Sequence, residues 1–105
     1  MEDAVNVFLC RDARDIQGSM LEYADTQRRF SDDVKVTRYK RTVAVNGSWI
    51  TKFVSEPAQL DGMHIREITI STRMSTGGDL DKLKNMLVAA RQGRFAMKRA
   101  EILYK

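Results

Sequence analysis

The chain has 105 residues, 43% apolar and 30% charged, with a net charge of +4 and a pI of about 9.5. This composition supports one soluble core and excludes an intrinsically disordered chain. It also excludes a transmembrane helix, since no apolar run nears the roughly 18 residues that a bilayer requires.

The opening "MEDAVNVFLC" is acidic before it is apolar, the reverse of a secretory leader, so a cytoplasmic location is expected. The run Ala4–Cys10 is apolar on both alternating faces and predicts a central strand covered on both sides. Ile16, Met20, Leu21 and Ala24 then recur at three- and four-residue spacing, one stripe of a helix. Ser31-Asp32-Asp33 breaks that helix.

"VKVTRY" alternates as a strand. Next, "RTVAV" and "SWITKFV" flank Asn46-Gly47, a pair that accepts positive φ at both positions of a type I′ turn. A hairpin centred there is the clearest local signal in the chain. "SEPAQLDGM" reads as a short helical turn, with Pro57 at an early helical position. "HIREITIST" alternates as another strand, and "RMSTGGD" as a flexible connection. "GDLDKLKNMLVAARQG" predicts a helix with Leu80, Leu83, Leu87 and Ala90 on one face, Asp79 as cap and Gly93 at its end. In the tail, Met97, Ala100 and Tyr104 suit a helix, whereas "EILYK" suits an edge strand.

The pattern predicts a single α/β domain over residues 1–105, with α+β as the alternative. Its mixed sheet should have four to five strands, including the Asn46-Gly47 hairpin, and two main helices.

Several chemistries lack their residues. Cys10 has no disulfide partner. Cys10 and His64 alone cannot make a zinc site. No phosphate loop or nucleophile elbow is present, so neither a cofactor nor a metal is expected, and no catalytic residue is assigned. The pairs Asp12/Asp15, Asp32/Asp33 and Asp79/Asp81 fall at helix ends or turns, where Asp satisfies backbone N–H groups.

The basic residues carry more information. Lys35, Arg38, Lys40 and Arg41 lie within eight residues without an acid. On a strand, Lys35, Thr37 and Tyr39 would share one face, and Arg38 and Lys40 the other. Such a face can hold phosphates and stack a base. The commoner source of such a pattern is a solvated, Lys-protected edge strand. Arg11 and Arg73 are secondary candidates for nucleic-acid contact. Trp49, Phe53, Met63 and Met97 would form the interface of the alternative, a module docking on a larger protein. An open sheet edge would also permit a homodimer.

The order of an apolar strand ending at Arg11, a helix, a basic strand, "NGSWITKF", "QLDGM" and "IREITIST" resembles part of the ATPase core of phage terminase large subunits and superfamily-2 helicases. The resemblance spans residues 4–72. It implies a nucleic-acid-handling accessory protein of phage or mobile-element origin. The phosphate loop is missing, and Ser71-Thr72-Arg73 stands where that family places Mg²⁺-binding acids. The resemblance therefore implies a core without ATP hydrolysis.

Overall fold

The computed structural model describes residues 5–60, 63–76, 80–90 and 96–99. Its centre follows from the two-faced apolar run. Strand β1 (Val5–Leu9) is flanked by parallel strands on both sides, β4 (Trp49–Val54) and β5 (Ile65–Ile70). β2 (Val34–Thr37) and β3 (Thr42–Val45) extend the sheet antiparallel beyond β4, and β6 (Ala96–Arg99) extends it parallel beyond β5. The resulting order is β2-β3-β4-β1-β5-β6. This is the expected mixed α/β sheet, with β6 added to the four or five strands read from the sequence.

Alternation along β1 divides the core in two. Phe8 and Cys10 face helix α1 (Ala13–Arg28), where they meet Ile16, Met20, Tyr23, Ala24, Val43 and Phe53. Val7 and Leu9 face the other way. There they pack with Leu60 of the 3₁₀ turn Pro57–Leu60, with Met74 of α2 (Thr72–Thr76), and with Met86 of α3 (Leu80–Ala89) and the adjoining Ala90. Helices on both faces of a largely parallel sheet explain why β1 has no polar face to show to water. In the first core, Phe8 and Phe53 stack at 4.8 Å, and Tyr23 meets both rings edge-on at 6.1 and 5.8 Å. Such aromatic pairs contribute about 0.5–1.5 kcal/mol each beyond their buried area.

The Asn46-Gly47 hairpin is present as expected. Asn46 has φ 55° and Gly47 φ 73°, and Ser48 N–H donates to the Val45 carbonyl.

Other expectations are corrected. Leu21 is 47% exposed and Leu80 62% exposed. Each helix is rotated so that Tyr23 and Met86 fill the positions assigned to them. A larger ring and a flexible thioether reach further into the gap over the sheet than a Leu at the stripe's margin. Phe53 is buried in the first core, because strand alternation turns it toward α1, so it is not an interface aromatic. Residues 72–76 form α2 instead of a flexible connection, started by Ser71, whose Oγ accepts from the Met74 N–H at 3.1 Å. Met97 lies in β6, not in a helix, because parallel pairing of Ala96–Arg99 with Glu67–Ile70 satisfies the edge of β5. Gly77, Gly78, Asp79, Gly93, Ala100, "EILYK" and the Asp61-Gly62 turn fall outside the described residues.

Among the described residues, one buried side chain is unsatisfied. Asn6, on the α1 face of β1, is 4% exposed, and neither its Nδ2 nor its Oδ1 has a hydrogen-bond partner. A buried amide in that state costs about 1–3 kcal/mol. Asn6→Val should therefore stabilise the fold by about 1 kcal/mol, read as a higher urea midpoint with an unchanged slope.

Candidate functional site

The three parallel strands β4, β1 and β5 end on the same side of the sheet. By antiparallel register, the β2–β3 turn emerges there too, since Thr37 pairs with Thr42 and Thr42 with Lys52. This edge gathers cations that are far apart in sequence. Arg11 follows β1, Arg73 lies in α2 after β5, and Arg38, Lys40 and Arg41 occupy the turn. From β3 to β5 is three inter-strand steps, about 14 Å at roughly 4.8 Å each. Arg11, Arg38, Lys40 and Arg73 are exposed and Arg41 is half-buried. None of the five forms an ion pair with a described residue, whereas Arg28 pairs with Asp25 and Lys82 with Glu56.

The two connections flanking β1 run in opposite directions. β1 continues through α1 on one face to β2 at the far edge, and β4 continues through the 3₁₀ turn on the other face, past β1, to β5. In open α/β sheets this switch point, at the carboxyl ends of the strands, is where ligands bind.

Three of the described acids at this edge have partners, and Asp81, in the first turn of α3, is exposed. Asp12 caps α1, its Oδ1 accepting from the Asp15 N–H at 2.8 Å. Asp15 is buried. Its Oδ2 accepts from the Arg11 N–H at 2.7 Å and from Ser71 Oγ at 2.5 Å, and its Oδ1 accepts from Ser19 Oγ at 3.0 Å. One carboxylate thus fastens the loop after β1 to the loop after β5 and sets the separation of Arg11 and Arg73. Glu56 faces Lys82 at 3.7 Å, and Lys82 Nζ also donates to the Arg11 carbonyl. Hydrogen bonding does not remove a carboxylate's charge, but the six cations Arg11, Arg38, Lys40, Arg41, Arg73 and Lys82 outnumber the four described acids Asp12, Asp15, Glu56 and Asp81, so the edge carries net positive charge.

The turn differs from the expected strand. β2 stops at Thr37, so Arg38–Arg41 do not alternate between sheet faces. The register with β3 leaves four residues to reverse the chain. They close with the Arg41 N–H donating to the Arg38 carbonyl at 3.1 Å and Arg41 at φ 52°. The Arg41 carbonyl accepts from the Phe53 N–H at 2.9 Å, which anchors the turn to β4. Tyr39 stands 84% exposed at the apex, its ring centroid 5.8 Å from Lys40 Nζ. Between the turn and α1 lies a cleft of about 90 Å³, walled by Ala13, Ile16, Gln17, Met20 and Leu21 and edged by Arg38 and Arg41. Lys35 does not join this cluster. It lies in β2, the first strand of the sheet order, and alternates with Val34 and Val36, which pack toward α1. That is the position of an edge-protecting lysine.

Cys10 and His64 are separate. Burial, with Asp15 nearby, pushes the Cys10 thiol well above its ordinary pKa, while Ser19 and Arg41 act the other way. The thiolate is the reactive form. Cys10 should therefore resist Ellman's reagent at pH 8 in the folded protein and react fully in denaturant. The folded thiol keeps its proton where the unfolded one ionises, so its contribution to stability is lost as pH rises through the alkaline range. Rapid labelling of native protein would contradict this burial. His64 is exposed before β5. Among the described residues, no group of His, Cys, Asp and Glu could hold a metal ion, and no helix is long and apolar enough to cross a membrane.

The structure thus unites Arg11, Arg38, Lys40, Arg41 and Arg73 and leaves Lys35 apart. The linking role of Asp15 was not legible. The pair Asp12/Asp15 was placed at a helix end as a capping pair, but Ser71, 56 residues away, carries no local sign of the contact. Comparison with protein-family models, with curated proteins and with solved structures returns no match.

Proposed function

We propose that this protein is a small non-enzymatic accessory protein that binds nucleic acid along the carboxyl edge of its sheet. One observation carries the reading: cations from three separate segments of the chain converge on that edge without an ionic partner among the described residues, and they outnumber the described acids there. Arg11 and Arg73 flank the switch point, and Arg38, Lys40 and Arg41 extend the row toward β2. Arginine offers phosphate a planar fork of donors, which suits four of the five positions.

The likeness to the terminase and helicase core belongs to this reading, as does an origin in a phage or mobile element. Ser71 is used as the cap of α2 and as a donor to Asp15, so no hydrolytic step is assigned to it. A cytoplasmic setting is proposed with the same function.

The test is a titration against single- and double-stranded DNA and RNA at low salt. Binding should weaken steeply as salt rises from about 50 to 200 mM. Absence of binding to all four ligands at low salt would overturn the proposal.

A second reading, docking on a protein partner, is favoured by a different surface. Phe30, 83% exposed, and Trp49 border a shallow trough with Gln27, Ser31, Val45, Asn46 and Ser48 at the opposite edge of the sheet. Arg66 stacks on Trp49 at 4.5 Å. Phe30→Ser should leave nucleic-acid binding unchanged but remove capture of such a partner, which separates the two readings.

A further inference from the structure

The row of cations accounts for attraction to phosphate but does not distinguish one kind of nucleic acid from another. The β2–β3 turn carries two features that phosphate binding does not use. One is Tyr39, an aromatic ring left 84% exposed at the apex of a turn anchored to β4. The other is the cleft beside it, whose wall is largely apolar (Ala13, Ile16, Met20, Leu21) and whose rim is Arg38 and Arg41. Leu21, left 47% exposed, is part of that wall.

We infer that the ligand is single-stranded and that one of its bases is received at this turn, stacked on Tyr39 beside the apolar wall of the cleft, with Arg38 and Arg41 on the flanking phosphates. This inference rests on the function proposed above and narrows its ligand class.

The argument is one of surface chemistry. In a duplex the bases stack on one another and offer only their edges, so neither an exposed ring nor an apolar wall gains a partner. In a single strand each base has a free π-face, and stacking on an aromatic side chain is tolerant of sequence. Apolar wall and cationic rim then match the two halves of a nucleotide. The backbone is shaped for the purpose as well. Arg41 is a non-glycine residue held at φ 52°, a conformation that costs about 1–2 kcal/mol. It is maintained by the bond from the Phe53 N–H to its carbonyl, and it keeps Arg41 at the cleft beside Arg38. Strain of this kind persists at ligand clamps. Tyr39 is 84% exposed, so its substitution can be read without loss of the fold.

The experiment is fluorescence anisotropy with labelled oligothymidylate, oligouridylate and a DNA duplex of matched length. The proteins are the full chain and its Tyr39→Phe and Tyr39→Ser variants. The unaltered chain should bind the single strands at least tenfold more tightly than the duplex. Tyr39→Ser should lose about tenfold on single strands and nothing on duplex, with an unchanged salt slope, because a stacked base is removed and no phosphate contact is. Tyr39→Phe should retain binding. Comparing the oligothymidylate with the oligouridylate decides between DNA and RNA. Equal or tighter duplex binding, or a silent Tyr39→Ser, would overturn the inference while leaving the nucleic-acid function standing. Binding to none of the three would remove both.

Discussion

Replacing Arg38 and Lys40 with alanine and Arg41 with glycine should remove most of the salt-dependent affinity for nucleic acid. Each phosphate contact on a single strand contributes about −0.7 to the slope of log affinity against log salt. Five contacts give a slope of about −3.5, and the triple variant should fall to about −1.4. Glycine is chosen at position 41 because φ 52° suits it better than any side chain. The variant should therefore unfold at no lower urea concentration than the unaltered chain, so loss of binding can be assigned to lost charge. Lys35→Ala is the internal control. It sits in an edge strand away from the row, and its removal should leave the slope within experimental error. A triple variant with the original slope would show that the turn takes no phosphate, and the proposed function would lose its main support.

Asp15→Ala should be the most damaging single substitution to stability. It removes the acceptor for three donors at once: the Arg11 N–H, Ser71 Oγ and Ser19 Oγ. Hydrogen bonds to a charged group are worth about 1.5–3 kcal/mol each, and stranded buried donors add a desolvation cost. Partial relaxation and water entry reduce the total, and a loss of about 3–4 kcal/mol is expected. For a domain of this size that corresponds to roughly 15 °C in Tm. Asp15→Asn keeps the shape and one acceptor oxygen and should cost about half as much. Ser71→Ala breaks the same link from the other side and also uncaps α2, for about 1–2 kcal/mol. Because Asp15 and Ser71 share a bond, the double variant should lose clearly less than the two single losses combined. Strict additivity would mean that the carboxylate does not couple the β1 and β5 loops.

How much of this was legible in the chain can be judged from particular residues. The Asn46-Gly47 turn was readable because its requirement is local: two positive φ values that few residue pairs accept. The central position of β1 was readable because an apolar run without a polar face must be covered on both sides. The end of the first helix near Asp12 and Asp15 was readable because such acid pairs satisfy free backbone N–H groups. Leu21 and Leu80 misled because a stripe at helical spacing defines a face only to within about one residue's rotation. Packing against the sheet then chose Tyr23 and Met86 for the interior. The short α2 was missed because its start depends on Ser71, whose hydroxyl is held by Asp15 from another part of the chain.

The candidate site divides in the same way. The types of residue were visible: a dense group of cations with a tyrosine among them, and arginines after two apolar strands. Their assembly was not. A strand reading placed Arg38 and Lys40 on one sheet face and Tyr39 on the other. In the structure all three share a turn at one edge, with Arg11 and Arg73 nearby.

By itself, then, the amino-acid order determined the composition of the interior, the hairpin, the main helix and strand segments, and the absence of a phosphate loop. Each of these rests on side-chain size, polarity or φ preference within a few neighbouring residues. Only the tertiary structure decided which strands lie side by side, that β4, β1 and β5 run parallel and end together, and that Asp15 links two loops 56 residues apart. Strand order is set by how two separate apolar cores share the faces of one sheet. That is a property of the whole packed chain, to which no short segment is sensitive.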